Sequence, residues 1–264
     1  MKSPFVWIAV LVVAGMGALY YWKNVRQVPA PAALPPPPVA KAPEVPPEPV
    51  KPPAIQHPIP EAPTPAKPLP SLADSDPAAQ DALAKLFGAE SIARAFNTDA
   101  AVRRFVATVD NLPRKTTAAR LMPVKPVPGP FAVEGGGPAT TIGPQNPLRY
   151  RPYIVAMEGV EAKRMVATYV QLYPLFQTAY EELGYPNGYF NDRLIEAIDD
   201  MLAAPDVPSP KLAQPKVLYE FADPSLESLS AGQKILVRMG PENAKRVKDK
   251  LRAIRRELTA QRLS

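Results

Sequence analysis

Hydrophobic and polar positions change rhythm three times along the chain. Residues 3–22, "SPFVWIAVLVVAGMGALYYW", carry no charge, and about twenty apolar residues rising 1.5 Å each cross roughly 30 Å of hydrocarbon. They predict a membrane span, with Trp7 at one interface, Tyr20, Tyr21 and Trp22 at the other, and Lys2 and Lys23 at the ends. The run exceeds a signal-peptide core of about 7–15 residues, and no small-x-small cleavage site directly follows it, which favours an uncleaved anchor over residues 1–27. Periodicity then disappears. Over residues 29–70 about two residues in five are proline and the few charges nearly cancel, so this stretch lacks the backbone donors and apolar mass of a core. Residues 28–70 are therefore expected to form a disordered, Pro-rich linker, extended in the polyproline II manner to at most roughly 130 Å.

Beyond residue 71 the helical period takes over, in about 190 residues that suit one domain. Asp76 before Pro77 reads as a cap, "DALAKLF" is periodic, and Gly88 closes it. A second segment after Thr98 carries Val102, Phe105, Val106 and Val109 on one face. Residues 112–148 are rich in proline and glycine and predict an irregular insertion, with short strands at most near 131–133 and 140–142. The glycines at 135–137 lack the strand, helix and lysine of a phosphate loop. Residues 160–183 predict a long helix with Val166, Tyr169, Val170, Tyr173, Phe176, Tyr180 and Leu183 on its apolar face, a kink at Pro174 and a stop at Gly184. Asn191 is expected to cap the next helix, which ends before Pro205. "KVLYEF" at 216–221 suits a strand or a helix entry, Asp223 and Ser230 are further caps, and a last helix follows Gly240 and Pro241 to about residue 261. The expected fold class is mainly α: a transmembrane helix, a linker, and one helical domain at 71–264 carrying the irregular insertion.

Composition narrows the chemistry. With 37 prolines and 13 glycines in 264 residues, the globular part is smaller than the chain. There is no cysteine, which excludes disulfides and thiolate chemistry, and the one histidine, His57, falls in the proline tract, so His-based catalysis and His-rich metal sites are not expected. Carboxylates are the acid–base groups left, and Glu181, Glu182, Asp192, Glu196, Asp199 and Asp200 cluster in sequence. A glycan-cleaving enzyme needs one or two of them beside a glycosidic bond, but Asp192, Glu196 and Asp199 fall at the spacing of a solvated helix face. No catalytic, cofactor or metal residue is assigned.

Two surfaces are candidate contacts. In "AYEELGYPNGYFNDRL" the Pro186-Asn187-Gly188 turn redirects the chain between two helices, and the outer edge of that corner presents Asn187, Tyr189 and Arg193. The aromatic stripe preceding it coincides with the aliphatic face, so it reads as core. The excess charge, +6 overall with a pI near 9.4, concentrates in residues 240–264. There Ala244, Val247, Leu251, Ile254 and Leu258 form one narrow seam, while Lys248, Arg252, Arg255 and Arg256 stand among the basic residues on the other faces. This segment reads first as an ordinary terminal helix whose seam docks on the domain; the alternative is that its exposed basic face binds an anionic surface, lipid or wall polymer, or an acidic protein, and nucleic acid is not expected.

The blocks "LPSLADSD" (69–76), "DNLPR" (110–114), "YPLFQTAYEELGYPNGYFNDRLIEAIDDMLAAP" (173–205) and "VLYEFADPSLESLSAGQKILVRMGPENA" (217–244) resemble the bacterial domain of unknown function 3014 family. The resemblance implies envelope proteins with an N-terminal membrane segment, a proline-rich spacer and one domain, and brings no catalytic residue with it. Charges flanking the span balance, so orientation rests on the spacer, which is most useful for holding a domain away from the inner membrane on its periplasmic side. The expectation is a single-pass inner-membrane protein displaying a binding or scaffolding module without enzymatic activity; a carboxylate-dependent peptidoglycan enzyme and a cytoplasm-facing adaptor are the alternatives.

Overall fold

A computed structural model describes residues 54–59 and 68–260; the expected membrane span and most of the proline tract lie outside them. Among the described residues no helix is long and apolar enough to cross a membrane. The domain is mainly α-helical. Its helices are α1 (Asp76–Phe87), α2 (Ala89–Ala95), α3 (Ala101–Asn111), α4 (Arg151–Glu158), α5 (Ala162–Glu182), α6 (Phe190–Leu202), α7 (Pro224–Glu227), α8 (Ala231–Met239) and α9 (Pro241–Thr259). Two antiparallel two-residue pairs complete it: β1 (Val133–Glu134) with β2 (Thr141–Ile142), and β3 (Leu212–Ala213) with β4 (Glu220–Phe221).

The α5–α6 hairpin is the centre, with α3 packed across both of its helices and α9 across both as well. The apolar period explains this arrangement. On α3, Val102, Val106 and Val109 are buried as their spacing predicts, and they meet Leu172, Phe176 and Tyr180 of α5 and Phe190 of α6 in one core. The α9 seam joins a second core with Ile154 and Leu236, and a third with Val166, Val170, Ile195 and Ile198. Helix α5 runs unbroken through Pro174, as the apolar period predicts, at the residue where the proline suggested a kink.

The insertion at 112–148 is ordered. Both of its predicted strands form, and Lys211 bridges to Thr141, so the two hairpins touch. Asn146, wholly buried, donates to the Arg238 carbonyl at 2.9 Å, and Asn243 donates to the Pro147 carbonyl at 2.9 Å. These two amides fasten the insertion to the break between α8 and α9. At that break Gly240 takes φ +85°, and a Cβ there would lie 3.0 Å from Pro147 Cγ.

Capping follows the sequence at two places and departs from it at two. Asp223 and Ser230 accept the amides of Ser225 and Gln233, as their spacing predicts. Asp76 sits inside the first turn of α1, and its carboxylate instead accepts the Ala100 and Ala101 amides, at 2.8 and 3.0 Å, serving the start of α3. Asn191 is not a cap either: Tyr189 holds that position without a side-chain bond, and Asn191 is fully buried within α6. In "KVLYEF" only Glu220 and Phe221 are strand, and Val217 and Leu218 are exposed on the connecting loop.

The linker also departs from expectation. Residues 54–59 lie against the domain rather than apart from it, with Ile59 packed on the α5–α6–α9 core.

The aromatic stripe of α5 is core, and its ionisation reports on that packing. Burial raises the Tyr169 and Tyr173 hydroxyls well above the ordinary tyrosine value, and raises Tyr180 to about 12. A folded-state pKa above the unfolded one contributes stability that is complete below about pH 10 and is lost as pH rises through the folded value. The expected outcome of an alkaline titration is that phenolate absorbance at 295 nm from these three side chains rises only together with loss of helical ellipticity, above about pH 11. Their full ionisation near pH 10 with the helix signal intact would show that the stripe is wet.

Candidate functional site

The corner between α5 and α6 is built around one glutamine that the sequence did not single out. Gln177 Oε1 accepts the Phe190 amide at 2.9 Å and the Tyr173 hydroxyl at 2.8 Å, while its Nε2 donates to the Gly188 carbonyl at 2.8 Å. It thus supplies the cap that α6 lacks from its own residues. Tyr180 and Tyr185 stack across the turn with ring centroids 4.5 Å apart. Gly188 permits this approach, because a Cβ there would lie 2.8 Å from Tyr180 Cε1. Asn187 is exposed at the tip and Tyr189 half-buried against Tyr173.

Arg193, expected on the outer edge, turns inward. Its side chain is 14% exposed and its Nε donates to Asp110 Oδ1 at 3.1 Å, with a second guanidinium nitrogen on the Asp110 carbonyl and a third on Glu196. Asp110 is itself 7% exposed and also receives Arg114 Nη2 at 2.8 Å. The carbonyls of Leu112 and Arg114 then accept the Gly232 and Ala231 amides at the start of α8.

The basic helix is likewise mostly engaged. Lys248 is buried, donating to the Ala204 carbonyl at 2.6 Å and to Asp206 at 2.8 Å, so it is not part of an exposed basic face. Arg255 grips Asp199 with two bonds of 2.5 and 2.9 Å, and Arg252 pairs with Asp249 at 2.7 Å. Arg256 is exposed. The clustered carboxylates do not converge on a common point: Glu181 accepts from Gln177, Glu182 from Arg103, Glu196 from Arg193, Asp199 from Arg255, and Asp200 from Ser230 and Gln233. Asp192 accepts two backbone amides of the 54–59 segment. Among the described residues no three His, Cys, Asp or Glu side chains are grouped to hold a metal.

The feature without an internal partner is a cleft. It occupies about 430 Å³ between α1, α3, α5, α6 and α9, is partly open to solvent, and has almost wholly apolar walls that include Phe87, Phe105, Met165, Leu194, Met201 and Ile254. Three polar side chains border it, and each is committed elsewhere: Asn97 donates to the Met122 carbonyl, Thr168 to the Arg164 carbonyl and Tyr169 to Asn191. Helical period marks these residues as inward-facing, but spacing cannot show that their faces fail to close.

A family profile described as protein of unknown function (DUF3014) matches residues 101–255, more than half of the chain. The chain belongs to this family. The DUF3014 match begins at the first residue of α3 and takes in the Asp110–Arg193 pair, the corner and most of α9. The "LPSLADSD" block, α1, α2 and the 54–59 segment precede it, so the cleft is walled from both sides of that boundary. No curated protein and no solved structure matches the chain.

Removing one partner of a buried ion pair leaves an uncompensated charge, at about 3–5 kcal/mol. Asp110→Ala, which strands Arg193 and half-exposed Arg114, is expected to cost at least about 3 kcal/mol in the urea unfolding of the domain transition. A loss below about 1 kcal/mol, the usual value of a surface pair, would mean the node is solvated.

Proposed function

We propose that this protein is a membrane-anchored binding module of the bacterial cell envelope whose domain holds a single hydrocarbon chain, the acyl tail of a lipid, in the cleft between α1, α3, α5, α6 and α9. The observation that carries the reading is that cleft. Left empty and closed, 430 Å³ of apolar void would cost roughly 10 kcal/mol at about 24 cal/mol per Å³, as much as the whole stability of an ordinary domain. The partial opening makes that figure an upper bound, yet filling the space with methylenes is the favourable alternative to water against apolar walls. No polar group points into it, which argues against a sugar, nucleotide or other polar ligand, and against chemistry on one. The expected membrane span at residues 3–22 supports the choice of ligand by tethering the domain to a membrane, with lipids within reach of the linker. The separate carboxylate contacts favour a binding role over a glycan-cleaving one, and the length of the Pro-rich tract favours display on the periplasmic side.

Both halves of the reading are testable in cells. Feeding a clickable diazirine fatty acid, irradiating, and mapping the labelled peptides of the full-length chain should give adducts on α1, α5 and α9 as well as on residues 3–22. Ala82→Phe, which fills the cleft wall, should lower the domain adducts at least tenfold, leave those of the span unchanged, and not reduce the melting temperature. Label confined to the span would remove the lipid reading. For placement, an alkaline phosphatase fusion at Ser264 should be active; an inactive phosphatase with a fluorescent cytoplasmic fusion at the same residue would put the domain on the other side.

A further inference from the structure

Residues 54–59, "AIQHPI", lie across the start of α6 as a strap that bends at Gln56 and His57 and is held by three polar bonds. The Gln56 and His57 amides donate to the two oxygens of Asp192, at 3.0 and 2.6 Å, and Asn191 Nδ2 donates to the His57 carbonyl at 2.8 Å. Behind Asn191, the Tyr169 hydroxyl donates to its Oδ1 at 3.1 Å and fixes the orientation of the amide. Two residues further on, Ile59 packs among Val166, Val170, Ile195, Ile198 and Leu258.

Every polar contact on the strap side is backbone. Such a site reads two adjacent amides and a carbonyl, and takes its selectivity from the aliphatic pocket that follows, the division between main-chain bonds and side-chain pockets that peptide recognition uses elsewhere. Asn191, fully buried, would lose its carbonyl partner without an occupant, at about 1–3 kcal/mol for a buried group left unsatisfied. The site therefore takes a segment bent so that two successive amides face one carboxylate, but nothing in its chemistry requires this one. The strap also leaves the His57 Nδ1 buried without a hydrogen-bond partner, so the cis occupant does not satisfy all of its own polar groups.

We propose that Asn191, Asp192 and the pocket around Ile59 form a binding site for a peptide that bends at two adjacent amides and carries a proline followed by an aliphatic residue, and that residues 54–59 occupy it in cis as a competitive plug. A protein partner bearing such a segment displaces the plug and gains the domain. The site shares Val166, Ile198 and Leu258 with the walls of the apolar cleft, but its polar bonds and its probe are different, so either reading can fail alone.

The test uses the full chain in detergent micelles and a fluorescein-labelled peptide of residues 51–62. Ile59→Asp in the chain, a change in the strap that leaves every helix residue intact, should raise affinity for the peptide at least tenfold over the wild type by vacating the pocket. Adding Asp192→Ala or Asn191→Ala to Ile59→Asp should abolish that gain. Hydrogen exchange of the wild type should show protected amides at Gln56 and His57, and Asp192→Ala should lose that protection while α6 retains its own. If the amides are protected but Ile59→Asp binds the peptide no better than the wild type, the strap is a structural staple and the proposal fails. Equal binding with and without Asp192→Ala overturns it as well.

Discussion

A carboxylate withdrawn from water must be neutralised by its neighbours, and at Asp110 the whole middle of the domain is organised around that requirement. Arg193 reaches it from α6, Arg114 from the turn that follows α3, and the Tyr185 ring of the corner stands beside Arg114, whose Nη2 donates to the phenol oxygen at 2.6 Å. Once Arg114 is held, the carbonyls of its turn face α8 and take its first free amides. One buried charge thus fixes the register of α3 against α6 and the entry of α8. An apolar contact could not do this, since hydrophobic burial has no preferred direction.

Much of the architecture was legible in the sequence because it rests on local rules. The buried faces of α3 and α9, the span of α5, the strands near 133 and 142, and the caps at Asp223 and Ser230 all follow from spacing over a few residues. What escaped notice depends on partners far along the chain. Asp76 serves a helix that begins 25 residues later, Gln177 caps α6 from α5, and Asn191 looked like a cap because its type and position suit one, whereas its amide answers a backbone carbonyl at His57. Charge caused the other departures. Arg193 and Lys248 were placed outward on the premise that cations seek water, but Lys248 sits where α6 ends and an unpaired carbonyl awaits a donor, and Arg193 has a carboxylate to meet. The cleft was invisible for a different reason: periodicity names the residues that turn inward without measuring the space among them.

The two unassigned features of the domain therefore use opposite chemistries on adjacent ground. Tyr169 belongs to both, its ring forming part of the cleft wall and its hydroxyl steadying Asn191. Val166, Ile198 and Leu258 likewise border the cleft and receive Ile59. Of the carboxylates clustered at 181–200, Asp199 ties α6 to α9 through Arg255, Glu182 ties α5 to α3 through Arg103, and Asp200 ties α6 to α8 through Ser230 and Gln233.

The placement of the strap has a mechanical consequence. Ile59 and Leu258 share one cluster, so the incoming chain meets the domain beside the end of the last helix. Among the described residues, tension applied through the chain before Ala54 falls first on three hydrogen bonds and one isoleucine, before any helix. Those contacts act as a fuse: they part before the core is loaded, and the six residues of the strap come away, about 20 Å at roughly 3.3–3.6 Å per residue, while the folded helices stay intact.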